Sequence, residues 1–311
     1  MTIELRLTDV DPPAAEPKRT IYRDIANLPD PTTLGVTIRY FNYDDVGLYM
    51  QITGSATGYT FTPVNLGLLA TGANAYKNLD NFASRAKPTV AQLPNGEMGE
   101  NITLTLKAYT DSGYTDLKWT FDRVVQVIWI NSADAAFTVD ELDNFDDGTV
   151  QGWAVTIDAG GGGQAPTLTV VNDYVLSTPY SIKMLNPTGP SSQTSEQAGR
   201  LYKSFTTPNK DTVYAIIDVR ISIPYVAYVG PSYSKYIRVN RDGTVLVFLG
   251  RPYDAVEANY APLNKWMRIV VPLPKNVTTE LRIIFGMVYI ANAYGAWRGY
   301  LWLDDFKMIS K

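Results

Sequence analysis

Two acidic pairs are the residues of this chain best placed to do chemistry. Asp146-Asp147 stands in Asn144-Phe145-Asp146-Asp147-Gly148, with Gly152-Trp153 close behind, and Asp304-Asp305 stands in Leu301-Trp302-Leu303-Asp304-Asp305-Phe306 near the far end. With Asp140, Glu141 and Asp143, five carboxylates fall within residues 140–147. Carboxylate oxygens are the hard ligands that Ca²⁺ takes, about 6–8 to an ion. In a sandwich whose first and last strands lie side by side, the two pairs converge on one structural Ca²⁺ beside Trp153. The plain alternative is a solvated acidic loop in which one Asp of each pair holds a turn. The spacing is not that of an EF-hand loop.

A second chemistry is sugar recognition, which needs flat aromatic faces and hydrogen-bonding groups at the ring edge. Tyr225, Tyr228, Tyr233 and Tyr236 crowd one loop-like segment with Pro224 and Pro231, and Tyr253, Tyr260, Tyr294, Trp297 and Tyr300 fall in later loops or strand starts. Tyr225, Tyr228, Tyr233, Trp297 and Tyr300 are the expected ligand contacts. Tyrosine is equally at home in protein interfaces, and the 21 tyrosines are spread along the whole chain. Hydrolysis finds less support. A glycosidase needs two carboxylates at a fixed separation, and Glu196, Glu257 and Glu280 stand in unrelated contexts.

The chain has 311 residues, no His and no Cys, which removes imidazole bases, Ser-His-Asp and Cys-His nucleophile systems, thiolate metal sites and disulfides together. A non-catalytic protein is expected. Net charge is −4 without a Lys/Arg run, so a nucleic-acid partner is not expected. No apolar run of about 18 residues marks a membrane span. The opening, Met1-Thr-Ile-Glu-Leu-Arg-Leu, alternates polar and apolar residues and carries no secretory signature.

The elements that must position these groups are strands. Apolar residues recur at every second position in Val36–Phe41, Leu48–Thr53, Asn101–Tyr109 and Arg123–Ile130, and again in Thr167–Val171, Tyr180–Leu185, Arg200–Phe205, Val213–Ile223, Tyr236–Asn240, Thr244–Leu249, Trp266–Leu273, Glu280–Phe285 and Gly299–Ile309. Only residues 73–86 suggest a short helix or irregular turn. Arg241-Asp242-Gly243 reads as a hairpin turn, Gly160–Gly163 as a hairpin tip, and residues 187–199 as a long exposed loop. The acidic stretch 133–143 has too little apolar mass for a core element and is read as a short linker between domains 1–132 and 144–311. It contains no flexible tether, which predicts a restricted angle between the domains.

The Phe-acid-x-Gly…Gly-Trp opening, the closing Trp302-Leu-Asp-Asp-Phe strand and the Trp266-Met-Arg-Ile-Val-Val-Pro-Leu segment resemble the carbohydrate-binding-module-like (galactose-binding type) jelly rolls. The resemblance covers roughly the last 170 residues. It implies a jelly-roll sandwich with a structural calcium ligated by Asp146 or Asp147 and by Asp304 or Asp305. By strand count, the first domain looks like an immunoglobulin-like sandwich without its Cys…Trp…Cys marks. The expected fold is therefore all-β, two-domain, an immunoglobulin-like β-sandwich followed by a jelly roll.

Two functions follow from different classes. The first is a structural subunit of a virion, filament or cell-surface assembly, acting through contacts with other protein subunits, with residues 2–8 able to pair with a neighbour's sheet edge. The second is a carbohydrate-binding or adhesion module that recognises a surface polysaccharide. Both predict an extracellular or virion-surface location.

Overall fold

The computed structural model describes residues 2–7, 19–28, 30–159, 165–176, 179–186, 196–226, 233–250, 264–289 and 297–311. Among these the regular structure is all strand apart from three single-turn 3-10 helices, and no helix is long and apolar enough to cross a membrane. The chain divides into two units, Met1–Asp134 and Ala135–Lys311.

Unit 1 contains β1 (Thr2–Leu7), β2 (Arg19–Asp24), β3 (Thr32–Asn42), β4 (Leu48–Ser55), β5 (Tyr59–Phe61), β6 (Val64–Leu69), β7 (Asn74–Arg85), β8 (Glu97–Tyr109) and β9 (Leu117–Ile130). They form a four-stranded sheet, β1-β3-β7-β5, and a five-stranded sheet, β2-β9-β8-β4-β6. Alternation dictates the core: Leu48, Met50 and Ile52 on β4 and Ile102, Leu104 and Leu106 on β8 are all buried, while the residues between them face outward. The sheet positions of β3, β4, β7, β8 and β9 match those of strands B, C, E, F and G of the expected immunoglobulin-like sandwich. Two departures from that fold are that β1 runs parallel to β3 and that β5, which lies outside β7, precedes the edge strand β6 in sequence. The opening strand β1 pairs in parallel with β3 of its own chain.

Residues 74–85 correct the helix reading. They form β7, and a break in the β3–β7 register places Ala83 opposite Leu34 but Leu79 opposite Val36. The extra residues in that bulge turn Leu79, Phe82 and Ala83 all into the core. A bulge thereby reproduces the i, i+3, i+4 spacing of a helix face.

Unit 2 contains β10 (Thr138–Asp143), β11 (Ala154–Ala159), β12 (Thr167–Val171), β13 (Ser181–Asn186), β14 (Glu196–Thr206), β15 (Val213–Val226), β16 (Tyr233–Arg241), β17 (Thr244–Gly250), β18 (Trp266–Leu273), β19 (Thr278–Tyr289) and β20 (Trp297–Ser310). One sheet runs β12-β13-β20-β15-β18, with β10 also paired to β20, and the other runs β11-β14-β19-β16-β17. Numbering β13 to β20 as one to eight gives the orders 1-8-3-6 and 2-7-4-5. That is the jelly roll, two interlocked Greek keys. Between the sheets lie Leu201, Ile217, Val219, Ile237, Ile283, Phe285, Leu301 and Leu303, with Phe145 and Trp153 among them.

The acidic passage read as a linker is in part a strand. Residues 138–143 are β10, antiparallel to β20, with Asp143 opposite Phe306. Both faces of β10 are polar or exposed, so hydrophobic patterning gave no sign of it; the ladder with β20 holds it in place. The Arg241–Thr244 hairpin is closed by Asp242 and Gly243 at φ 47° and 88°. These are the positive-φ positions of a two-residue turn.

Candidate functional site

The Phe145…Trp153 segment folds as a chain of tight turns. Phe145, Gly148, Gln151 and Gly152 all take positive φ, the Gly148 N–H donates to the Phe145 carbonyl and the Trp153 N–H to that of Val150. The turns drive Phe145 and Trp153 into the core, where the Trp153 ring stands edge-on to Phe306 with centroids 5.4 Å apart. Trp153 Nε1 donates to Asp143 Oδ2 at 2.9 Å, and Lys203 Nζ closes the group at 2.8 and 2.7 Å from the Asp143 oxygens and 2.6 Å from Glu141. Burial pushes the Asp143 carboxyl up. Burial also works against the Lys203 charge, but the hydrogen bonds to Asp143 and Glu141 outweigh it and hold the amine above its ordinary range.

Three of the four aspartates predicted to hold calcium accept hydrogen bonds from protein donors. Asp146 accepts from Asn144 Nδ2 at 2.7 Å, and Asp147 accepts from the Thr149 N–H and hydroxyl at 2.9 and 2.8 Å. The Thr149 backbone N–H is the main cause that holds Asp147 below the ordinary carboxylate range. Asp304 is fully buried on β20 and accepts from the Leu176 N–H, while Asp305 is half-buried next to it. The β10–β20 ladder does bring the two stretches close. Among the described residues no group of three or more acidic side chains comes together, so a calcium here would complete its shell with carbonyl oxygens and waters.

Of the predicted aromatic contacts, Tyr228 lies outside the described residues, as do Tyr253, Tyr260 and Tyr294. Tyr225, Tyr233 and Trp297 are described in their backbones alone. Tyr225 pairs with Arg298, Val226 with Trp297, and Tyr233 with Tyr289. These pairings put all three at the end of unit 2 where β13, β15, β17 and β19 finish. Tyr300 is half-buried on β20, with its ring 4.5 Å from Lys183 Nζ. Tyr236 is neither exposed nor in a loop: it sits in β16 and is fully buried.

A different group stands out on the outer face of the β11-β14-β19-β16-β17 sheet. Leu201, Ile237, Val239, Ile283 and Phe285 point into the core, so the residues alternating with them point outward. The strand registers set three rows across this face: Ala198, Gly286 and Tyr236; Arg200, Ile284 and Arg238; Tyr202, Arg282 and Asn240. Asp158, at a bulge in β11, reaches into the middle row. Its carboxylate accepts from Arg238 Nη2 at 2.8 Å and lies 3.8 Å from Arg200 Nη1. Arg238 thus spans the two strands between, over the buried cluster of Ala198, Tyr236 and Ile284.

The guanidinium of Arg200 lies 5.4 Å from the half-buried Tyr202 ring, and that of Arg238 lies 5.5 Å from the Tyr236 ring. The side chains of Arg200 and Arg238 keep 22% and 24% of their surface and Asp158 keeps 12%. Arg200 Nε, Arg238 Nε and Asn240 Oδ1 are buried without a hydrogen-bond partner among the described residues. Polar atoms in that state are uncommon in folded proteins. The arrangement offers two guanidinium groups and a carboxylate held between them, bordered by a tyrosine ring.

No family model matches the chain, and no curated protein matches it. Among solved structures, the chain is similar to a carbohydrate-binding module described for the promiscuous specificity of its β-sandwich superfamily, at 14% identity and a TM-score of 0.34 over 91% of this chain and 94% of that one. A module described for specific mannan recognition aligns with 56% of this chain and 98% of its own, at 9% identity and a TM-score of 0.33. The enzymatically active domain of tailspike protein 4 from bacteriophage CBA120 aligns with 53% of this chain but 20% of its own length, at 12% identity and a TM-score of 0.30. The fold stated above rests on strand order and pairing, not on these likenesses.

Asp158, Arg200, Tyr202, Arg238 and Asn240 were not singled out from sequence. The available signal was the outward half of two recognised strands, Arg200-Leu-Tyr and Tyr236-Ile-Arg-Val-Asn, where aromatic and hydrogen-bonding residues alternate with core ones. What the sequence withholds is register, which alone makes Arg200 and Arg238 share a row.

Proposed function

We propose that unit 2 is a carbohydrate-binding module and that the Asp158, Arg200, Tyr202 and Arg238 face is its glycan site. The observation that carries the reading is the Asp158 carboxylate held between two partly exposed arginines on the outer face of the sheet, beside Tyr202. Vicinal sugar hydroxyls each carry a donor and an acceptor, and a carboxylate next to a guanidinium meets both. The tyrosine ring offers an apolar face to the sugar C–H surface. A few fixed polar groups on a largely preformed surface are the usual make-up of a small-ligand site. The carboxylate offsets one of the two guanidinium charges, leaving the group with one net positive charge. The structural neighbours described as binding mannan or other carbohydrates agree with this reading in kind.

The test is a glycan array probed with the whole chain, followed by Arg238→Ala and Tyr202→Ala on the glycans retained. A hydrogen bond to a charged group contributes about 1.5–3 kcal/mol, so Arg238→Ala lowers affinity roughly 10- to 100-fold. Retention of a glycan with unchanged affinity in both variants overturns the site.

A further inference from the structure

Lys203 stands where its strand otherwise places apolar residues. On β14 it falls between Leu201 and Phe205, which both point into the core, so period 2 turns its side chain inward as well. Its partner across the ladder is the buried Leu281, and the Lys203 side chain keeps 11% of its surface. Asp143, whose side chain keeps 6%, reaches it from the other sheet, on β10 opposite Phe306. The two residues are 60 positions apart in sequence and meet across the sandwich beside the edge-on rings of Trp153 and Phe306.

An ion pair in such a place adds little stability, because taking both charges out of water offsets their attraction. An amide removes both charges and keeps the link, and the groups that would make one are assembled. Lys203 Nζ lies 2.8 and 2.7 Å from the two Asp143 oxygens, which puts it about 3 Å from the Cγ between them, the separation of a near-attack pair. Glu141 is 2.6 Å from the same nitrogen. Trp153 Nε1 donates to Asp143 Oδ2 at 2.9 Å, where an oxyanion would form. Burial pushes the Asp143 carboxyl up, which favours passing a proton from the ammonium to the carboxylate and leaves an amine beside a carboxylic acid.

We infer that Lys203 and Asp143 join in an intramolecular isopeptide bond, with Glu141 as the proton carrier and Trp153 as the oxyanion donor. The Nζ lone pair attacks Cγ, and the charge developing on Oδ2 is met by the Trp153 N–H. Glu141 takes a proton from Nζ and returns it to Oδ1; the Cγ–Oδ1 bond breaks and Oδ1 departs as water. Of the three ammonium protons one stays on the amide nitrogen and two leave with the oxygen, so atoms and charge balance with no oxidant or co-reactant. The bond ties β10 to the opposite sheet of unit 2 and closes a covalent loop, which restricts the unfolded chain as a disulfide does, in a protein without cysteine.

Intact-mass spectrometry of the whole chain under denaturing conditions reads the bond directly. The expected mass is that of the sequence less one water, and a proteolytic digest should yield a branched peptide joining residues 143 and 203. Lys203→Arg keeps a cation for Asp143 but offers no amine, so it should fold, by circular dichroism, and show the full mass. General acid–base catalysis contributes about 10²–10⁴-fold, so Glu141→Gln should be purified largely at full mass and close slowly on standing. A folded parent at full sequence mass overturns the bond, as does a loss of water that persists in Lys203→Arg. Complete closure in freshly purified Glu141→Gln overturns the role given to Glu141. None of these readouts involves the glycan face, so the bond and the proposed function fail separately.

Discussion

Gly286→Ala tests the geometry of the site face without touching any of its charged groups. Gly286 lies toward the C-terminal end of β19, flanked by Ala198 and Tyr236, and the Tyr236 ring is laid over it. A methyl at position 286 would come 2.5 Å from Tyr236 Cζ and 2.7 Å from Cε1, closer than carbon atoms pack. Tyr236 is fully buried and part of the cluster under Arg238, so its ring has no open space to swing into. Overpacking of this kind costs about 1–3 kcal/mol. For a domain in the size range of unit 2, each kcal/mol moves the midpoint by about 2–4 °C, which puts the expected fall at about 4–8 °C for the central value of about 2 kcal/mol. Differential scanning calorimetry of the whole chain reads it in the transition of unit 2. The same substitution in a Tyr236→Ala background should cost far less, because the clash is gone, and the double-mutant cycle isolates that coupling. A Gly286→Ala midpoint within 1 °C of the parent, or an equal fall in both backgrounds, would refute the placement of the ring.

Three further outcomes follow from the packing. Lys203→Met leaves Asp143 buried without its cation and should destabilise unit 2 by about 2–4 kcal/mol, below the full penalty of a deeply buried broken pair; the deficit should shrink in acid, where Asp143 protonates, and a pH-independent loss would count against it. In unit 1, burial and the hydrogen bond to Glu100 push the Tyr59 hydroxyl up to about 12. The folded state therefore holds that proton after the unfolded state has lost it, so the contribution is complete below about pH 10 and is lost between about 10 and 12. Alkaline melts should show the fall for the parent and not for Tyr59→Phe. Chelation with EDTA should leave both transitions where they are, because Asp146, Asp147 and Asp304 already accept from protein donors; a drop in the transition of unit 2 would assign calcium to the acidic pairs.

The strands of unit 2 were legible because apolar residues alternate with polar ones along much of their length, which writes period 2 into the sequence. β10 was not, since an edge strand held by its ladder needs no apolar face. β7 was misread because a bulge gave it helical spacing. The Phe145…Trp153 motif was found, but its acids serve the turns that seat two aromatic rings, and the same residue types would have suited a metal. The site face was half visible. Arg200, Tyr202, Arg238 and Asn240 show as outward positions of known strands, whereas their gathering around Asp158 depends on register between strands far apart in sequence, which local alternation does not encode.

The most direct test of the glycan site is the arginine Nε–H region of the ¹⁵N–¹H NMR spectrum, recorded while the array-selected glycan is added. Arg200 and Arg238 are assigned by their loss in Arg200→Lys and Arg238→Lys. These two signals should shift together along the binding curve. Saturation of binding with both unmoved would contradict it.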